Sequence, residues 1–158
     1  MLDLRRVRAY VSGGALRLDV TLGAISTVWN PPQGFDHLAL TAFIELPGEP
    51  GGSTVMPAQN AAVPPGFRWH RRLRVHGWSN ALFSAEGADA QREGTPLGVA
   101  ARVGVDASTR TISLWLSPAA LGSRTSLSGA RIYLNTWDYD GGYRALSPQA
   151  GAHGVAAR

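Results

Sequence analysis

The chain has 158 residues, 44% hydrophobic and only 16% charged, which suits one domain with a single core and few charged helix faces. It contains no cysteine, so disulfides, thiolate metal sites and a cysteine nucleophile are excluded. The formal charge is +4, and every basic side chain is arginine. A compositional bias accounts for this better than selection for nucleic acid, where lysine also serves phosphate.

No apolar run approaches the ~20 residues of a membrane-spanning helix. Met1-Leu2-Asp3-Leu4-Arg5-Arg6 lacks the apolar stretch of a signal peptide, so none is expected. Leu4 to Val11 and Ala15 to Leu22 flank Ser12-Gly13-Gly14, which predicts a hairpin. In its second strand Leu16, Leu18, Val20 and Leu22 alternate with Arg17, Asp19 and Thr21, giving one core face and one wet face. Residues 23–36 carry Val28-Trp29-Asn30-Pro31-Pro32-Gln33-Gly34-Phe35, where adjacent prolines forbid a helix or a central strand.

A strand is predicted from His37 to Leu46, with Leu38, Leu40, Ala42, Ile44 and Leu46 on one face. Residues 47–67 form a Pro/Gly-rich excursion whose length predicts a functional or mobile loop. Contact with residues 137–143 is expected to anchor it. Arg68 to His76 is the next strand, in which Arg68, His70, Arg72, Arg74 and His76 alternate with Trp69, Arg71, Leu73 and Val75. That cationic stripe reads as a solvated strand face, with a phosphate or acidic-glycan surface as the sharper alternative. Arg71, on the apolar side, needs a carboxylate partner.

Further strands are predicted around Leu82-Phe83-Ser84, over Val99 to Val105, over Thr109 to Leu116, and from Ala130 to Trp137. Ser117-Pro118-Ala119-Ala120-Leu121-Gly122 reads as one helical turn, with serine at the cap and glycine closing it. About eight short strands, and no helix long enough for a βαβ unit, predict an all-β fold. It is an antiparallel two-sheet β-sandwich, jelly-roll-like, with one short helical turn. Residues 1–158 form a single module, free-standing or part of a larger protein.

The sharpest chemical segment is Ile132-Tyr133-Leu134-Asn135-Thr136-Trp137-Asp138-Tyr139-Asp140-Gly141-Gly142-Tyr143-Arg144. Strand alternation sends Ile132, Leu134 and Thr136 to one face and Tyr133, Asn135, Trp137 and Tyr139 to the other. Rings beside amide groups suit sugars, which offer apolar C–H patches and hydroxyls together. The competing reading packs Trp137 and the tyrosines under the 47–67 loop and makes Asp140-Gly141 a plain turn. Asp138 and Asp140 are weak metal candidates, half of a calcium loop that Asp3, Asp36 or Glu45 would have to complete. They are a poor glycosidase pair, because neighbours on one strand cannot straddle a glycosidic bond. G-x-S-x-G, H-E-x-x-H and P-loop signatures are missing, and His37, His70, His76 and His153 lack metal spacing. No catalytic residue is expected.

Four segments carry a resemblance: Asn30-Pro31-Pro32-Gln33-Gly34-Phe35; Pro50-Gly51-Gly52-Ser53-Thr54 with Pro57-Ala58-Gln59-Asn60; His76-Gly77-Trp78; and Thr136 through Pro148. Over nearly its whole length the chain resembles the C-terminal binding module of glucodextranase, also found on pullulanase- and amylase-type enzymes. That family is similar in fold to family 9 carbohydrate-binding modules and DOMON domains. The resemblance implies a non-catalytic module that binds a polysaccharide such as an α-glucan, or a cell-surface glycan. It also implies a glycoside hydrolase domain as companion and a secreted or cell-surface setting. Trp137, Tyr139 and Tyr143 are the stacking candidates, Asn135, Asp138 and Asp140 the hydroxyl partners, and Trp29, Asn60 and Trp78 a second tier. No cofactor is expected, and calcium is the one weak metal candidate. The rival readings are a DOMON-like haem or redox domain, with Met56 and His70 or His76 as axial ligands, and a structural domain packed on a catalytic partner.

Overall fold

Strands β1 (Leu4–Ser12) and β2 (Ala15–Leu22) form the first hairpin. Gly13 and Gly14 turn it at φ of +52° and +78°, the left-handed pair whose twist matches the flanking strands. A Cβ at Gly14 would stand 1.7 Å from the Arg124 carbonyl oxygen, so no side chain fits there. The computed structural model describes residues 3–139; Asp140 and Tyr143, two of the candidate residues, lie outside them.

In chain order the remaining strands are β3 (His37–Glu45), β4 (Val55–Met56), β5 (Ala61–Ala62), β6 (Arg71–His76), β7 (Ser79–Ser84), β8 (Thr95–Pro96), β9 (Arg102–Asp106), β10 (Thr111–Leu116) and β11 (Arg131–Tyr139). Two antiparallel sheets result, a four-stranded one ordered β1-β2-β10-β9 and a five-stranded one ordered β11-β3-β6-β7-β8. The expected count of eight corresponds to the strands of five residues or more. The other three have two residues each, too short to show any alternation. A 3-10 turn at Ala119–Leu121 is the predicted helical turn, where the Ala120 N–H donates to Ser117 Oγ at 3.3 Å.

One core fills the space between the sheets. Leu16, Leu18, Val20 and Leu22 of β2 meet Leu38, Leu40, Ala42 and Ile44 of β3, with Leu73, Val75, Ile112 and Leu114 beside them. Each such leucine, valine or isoleucine stabilises the fold by roughly 1.5–3 kcal/mol relative to exposure. Arg71, on this side of β6, meets Glu49 at 2.6 Å, and Arg124 reaches the same carboxylate at 3.1 Å. Burial opposes ionisation of Glu49, but the hydrogen bonds from both arginines outweigh it and hold the carboxyl below its ordinary range.

The outer face of the five-stranded sheet presents rows set by strand register. Tyr133, Phe43, Arg72 and Phe83 form one row, Asn135, Thr41 and Arg74 the next, and Trp137, Ala39 and His76 a third. Part of this face is roofed. Met56, Val63, Phe67 and Trp69 pack with Phe43 into a second apolar cluster, held by the small β4–β5 hairpin within the 47–67 excursion. The Ala58 N–H donates to the Ala90 carbonyl at 2.9 Å, joining that excursion to segment 85–95.

The roof corrects the reading of the arginine stripe as a solvated face. Arg72 is 0%, His70 5% and His76 7% exposed. Arg72 reaches Glu93 at 3.4 Å and lies over the rings of Phe43 and Phe83, while Arg74 pairs with the same carboxylate. Covering segments distant in sequence, invisible to strand periodicity, put these charges under cover. The loop packs on Tyr133 and Asn135; of the 137–143 segment expected to anchor it, residues 140–143 lie outside the described residues. Strand β6 also starts three residues later than predicted, because Trp69 leaves the sheet to exchange backbone hydrogen bonds with Ser53, both at 3.0 Å.

Candidate functional site: the aromatic end of the five-stranded sheet

Loop 23–36 is shaped by its own polar groups. Asp36 is 1% exposed, and its Oδ2 accepts the Trp29 N–H at 2.7 Å. The Gly34 N–H donates to Pro31 O at 2.9 Å and the Gln33 N–H to Gly77 O at 3.0 Å. A Cβ at Gly77 would lie 2.5 Å from Phe35 O and 2.8 Å from Pro31 Cβ, so only glycine permits this contact. The Asn30–Phe35 segment thus docks, backbone against backbone, on His76-Gly77-Trp78.

That docking assembles a cluster of rings. Trp29 lies 5.9 Å from Trp78 and 3.8 Å from His37 between ring centroids. Tyr139, at the end of β11, stacks on His76 at 4.0 Å and lies 6.1 Å from Trp78. Trp29 and Trp78 are each 43% exposed, so indole surface faces solvent on a rigid support.

The two histidines have different parts. His76 Nδ1 accepts the Trp78 N–H at 3.3 Å. Burial first, and then the nearby Arg74 charge, lowers its pKa from 6.5 to about 4. The ring is therefore neutral at neutral pH, a flat partner for Tyr139. His37 takes a left-handed φ of +57° and holds Nε2 3.7 Å from Asp36 Oδ1.

Not every sequence candidate joins this cluster. Trp137 is 9% exposed, closed into the sheet face and not open like Trp29 and Trp78. Asn135 is engaged with Gln59, donating to Oε1 at 2.7 Å and accepting from Nε2 at 3.4 Å. Asp138 is exposed and shares its register position with the core residue Leu38, on the side of β11 away from Trp137 and Tyr139. Asn60, exposed with a φ of +46°, sits beside Gln59 in the turn between β4 and β5.

The described residues contain no group of three or more His, Asp or Glu placed to hold a metal ion. The carboxylates that would complete a calcium set are engaged separately: Asp3 with Arg5 and Glu45 with Arg131, each at 2.6 Å, and Asp36 with Trp29. Of the haem-ligand candidates, Met56 belongs to the second apolar cluster, His70 Nδ1 accepts the Leu46 N–H at 3.0 Å, and His76 stacks on Tyr139. Sequence reasoning named His76 only in the cationic stripe, the haem alternative and the His76-Gly77-Trp78 segment, and gave His37 and Gln59 no ligand-binding role. The alternation of β3 and β6 already put both histidines on the face of Trp137.

An exposed ring cluster, built by loop 23–36, the β6–β7 turn and the end of β11 on an antiparallel sandwich, defines a β-sandwich binding module. Residues 1–157 match the C-terminal, SLH-like binding module of glucodextranase, and the chain belongs to that family. No curated protein matches the chain. Among the described residues no helix is long and apolar enough to cross a membrane.

Proposed function

We propose that this chain is a non-catalytic carbohydrate-binding module that takes a polysaccharide, an α-glucan or a cell-surface glycan, at the aromatic end of the five-stranded sheet. One observation carries the reading: Trp29, Trp78 and Tyr139 come from three segments distant in sequence, two of them within the motifs that carry the resemblance, and meet in one cluster with two half-open indoles. Such rings stack on the C–H faces of sugars, and polar neighbours orient the hydroxyls. Trp29, Trp78 and Tyr139 are the stacking residues in this reading, and Trp137, closed into the sheet face, is not one of them. Asn60 and, outside the described residues, Asp140 and Tyr143 are the polar and ring partners carried over from the motif; Asn135, held by Gln59, and Asp138, on the other side of β11, are not. A secreted or cell-surface setting beside a glycoside hydrolase domain goes with family membership.

Affinity gel electrophoresis in pullulan and dextran tests this. Trp29→Ala and Trp78→Ala should each weaken retardation roughly tenfold, the effect of losing about 1–1.5 kcal/mol of ring contact, with little change in melting temperature. Full retardation in both variants, or none in the parent chain, refutes it.

A structural role on a catalytic partner has one observation in its favour. Val7 and Val11 of β1 are 39% and 60% exposed, although their register partners Val20 and Leu16 are buried. A Val7→Ser/Val11→Ser variant that no longer associates with a companion hydrolase domain, while still binding glucan, would establish that second role.

A further inference from the structure

The outer face of the four-stranded sheet carries chemistry that the aromatic end does not use. Register sets three rows across it: Tyr10, Arg17, Trp115 and Arg102; Arg8, Asp19, Ser113 and Gly104; Arg6, Thr21, Thr111 and Asp106. In the first row rings and guanidinium groups alternate. Arg17 lies over Tyr10 at 5.4 Å and over Trp115 at 5.3 Å, and Arg102 over Trp115 at 4.3 Å. The Trp115 ring lies down on β9, because a Cβ at Gly104 would stand 3.0 Å from its edge.

Two shallow depressions, of about 560 and 510 Å³, share Arg17 and Trp115 and run along the strands. From residue 6 to residue 12 of β1 they extend about 20 Å, at the rise of an extended strand. Four guanidinium groups face two carboxylates over this length. Arg17 is taken by Asp19 at 2.7 and 2.8 Å, and Asp19 also accepts from Ser113 at 2.7 Å. Arg6, Arg8 and Arg102 make no ion pair with the described residues. A guanidinium stacked flat on a ring keeps its N–H edge outward, the geometry that grips a carboxylate through two hydrogen bonds.

We propose that this face binds an acidic polysaccharide whose sugars carry carboxylates, independently of the aromatic end on the opposite side of the sandwich. Charge complementarity selects an anion, and the open trough selects a chain over a small enclosed ligand. The exposed Tyr10 ring and the Thr21, Thr111 and Ser113 hydroxyls match sugar faces and hydroxyls. Asp19 and Asp106 disfavour duplex DNA, which sets one negative charge per about 1.7 Å of its axis, more than they disfavour a polymer with one carboxylate per sugar ring.

Affinity gel electrophoresis with polygalacturonate, its carboxyl-reduced counterpart and duplex DNA, at physiological ionic strength, decides it. Polygalacturonate should retard the chain and the carboxyl-reduced polymer should not. Arg8→Gln/Arg102→Gln, which removes two exposed charges and the Arg102–Trp115 contact, should weaken retardation at least tenfold with little change in melting temperature. Trp29→Ala/Trp78→Ala should leave it unchanged, which separates this surface from the glucan site. Absence of retardation, equal retardation by the reduced polymer or by DNA, or insensitivity to the arginine variant overturns the proposal.

Discussion

Lowering the pH should weaken this fold through His76 before it does so through its carboxylates. Folded, the ring is held at a pKa of about 4 by burial and then by Arg74; unfolded, it titrates near its ordinary value of ~6.5. Between those values the unfolded chain binds a proton that the folded chain refuses. Stability therefore falls as pH drops from 6.5 toward 4, and this source stops contributing below 4. A gap of about 2.5 units at 1.36 kcal/mol per unit sets an upper bound near 3 kcal/mol, and about 2 kcal/mol remains after allowing for solvent near the ring. At roughly 2–4 °C per kcal/mol for a chain of this size, the melting temperature should fall by about 4–8 °C from this source. The assay is a set of thermal melts from pH 7 to pH 4 on the parent chain and on His76→Asn, which keeps an acceptor for the Trp78 N–H. The variant should be less stable at pH 7 and lose less on acidification, while carboxylate contributions cancel in the difference. Parallel melting curves for the two proteins, or a parent chain that gains stability toward pH 5, would refute the reasoning.

Gly77→Ala should cost about 1–3 kcal/mol by overpacking against Phe35 and Pro31 and shift the tryptophan emission, since Trp29 and Trp78 share that contact. Gln59→Ala should cost roughly 1–3 kcal/mol by leaving Asn135 short of partners, and limited proteolysis should then nick the 47–67 excursion faster than in the parent chain. Glu93→Gln should lower stability by about 1–3 kcal/mol, because it removes a carboxylate charge shared by the fully buried Arg72 and by Arg74, and weakening a buried ion pair is costly; unchanged urea melts would contradict this.

The sandwich was legible wherever period-two alternation ran for five or more residues. Strands β2, β3 and β10 show it plainly, and the glycine pair at the first turn set the hairpin register. Depth was not legible. Alternation puts Trp137 on the outer face of β11, yet cannot say that this position is closed while Trp29, from a loop with no periodicity, stands half open. Arg72 and Arg74 likewise read as surface, because what covers them arrives from residues 55–67 and 85–95. Of the ring cluster, the motif segments contain Trp78 and Tyr139, and Trp29 directly precedes one of them. The ring-stacking role of His76 and the place of His37 beside Trp29 were not legible, because a histidine on a strand gives no sign of whether it stacks, ligates or faces water. Asn135 was read as a hydroxyl partner, and nothing local to β11 announces that Gln59 occupies it.

The seam between the two roof segments, where the Ala58 N–H meets Ala90 O, is also a place where opening of the roof can be read. Parting it requires no strand of either main sheet to unpair, so it belongs to the local openings that proceed at lower free energy than global unfolding. The Ala58 amide should then exchange with solvent deuterium faster than those of β3, yet slower than those of an uncovered turn. A sugar chain that wedges the two segments apart would speed that one amide, and one that seats against both would slow it. A single cross-peak would report how the roof responds to a ligand at the neighbouring ring cluster.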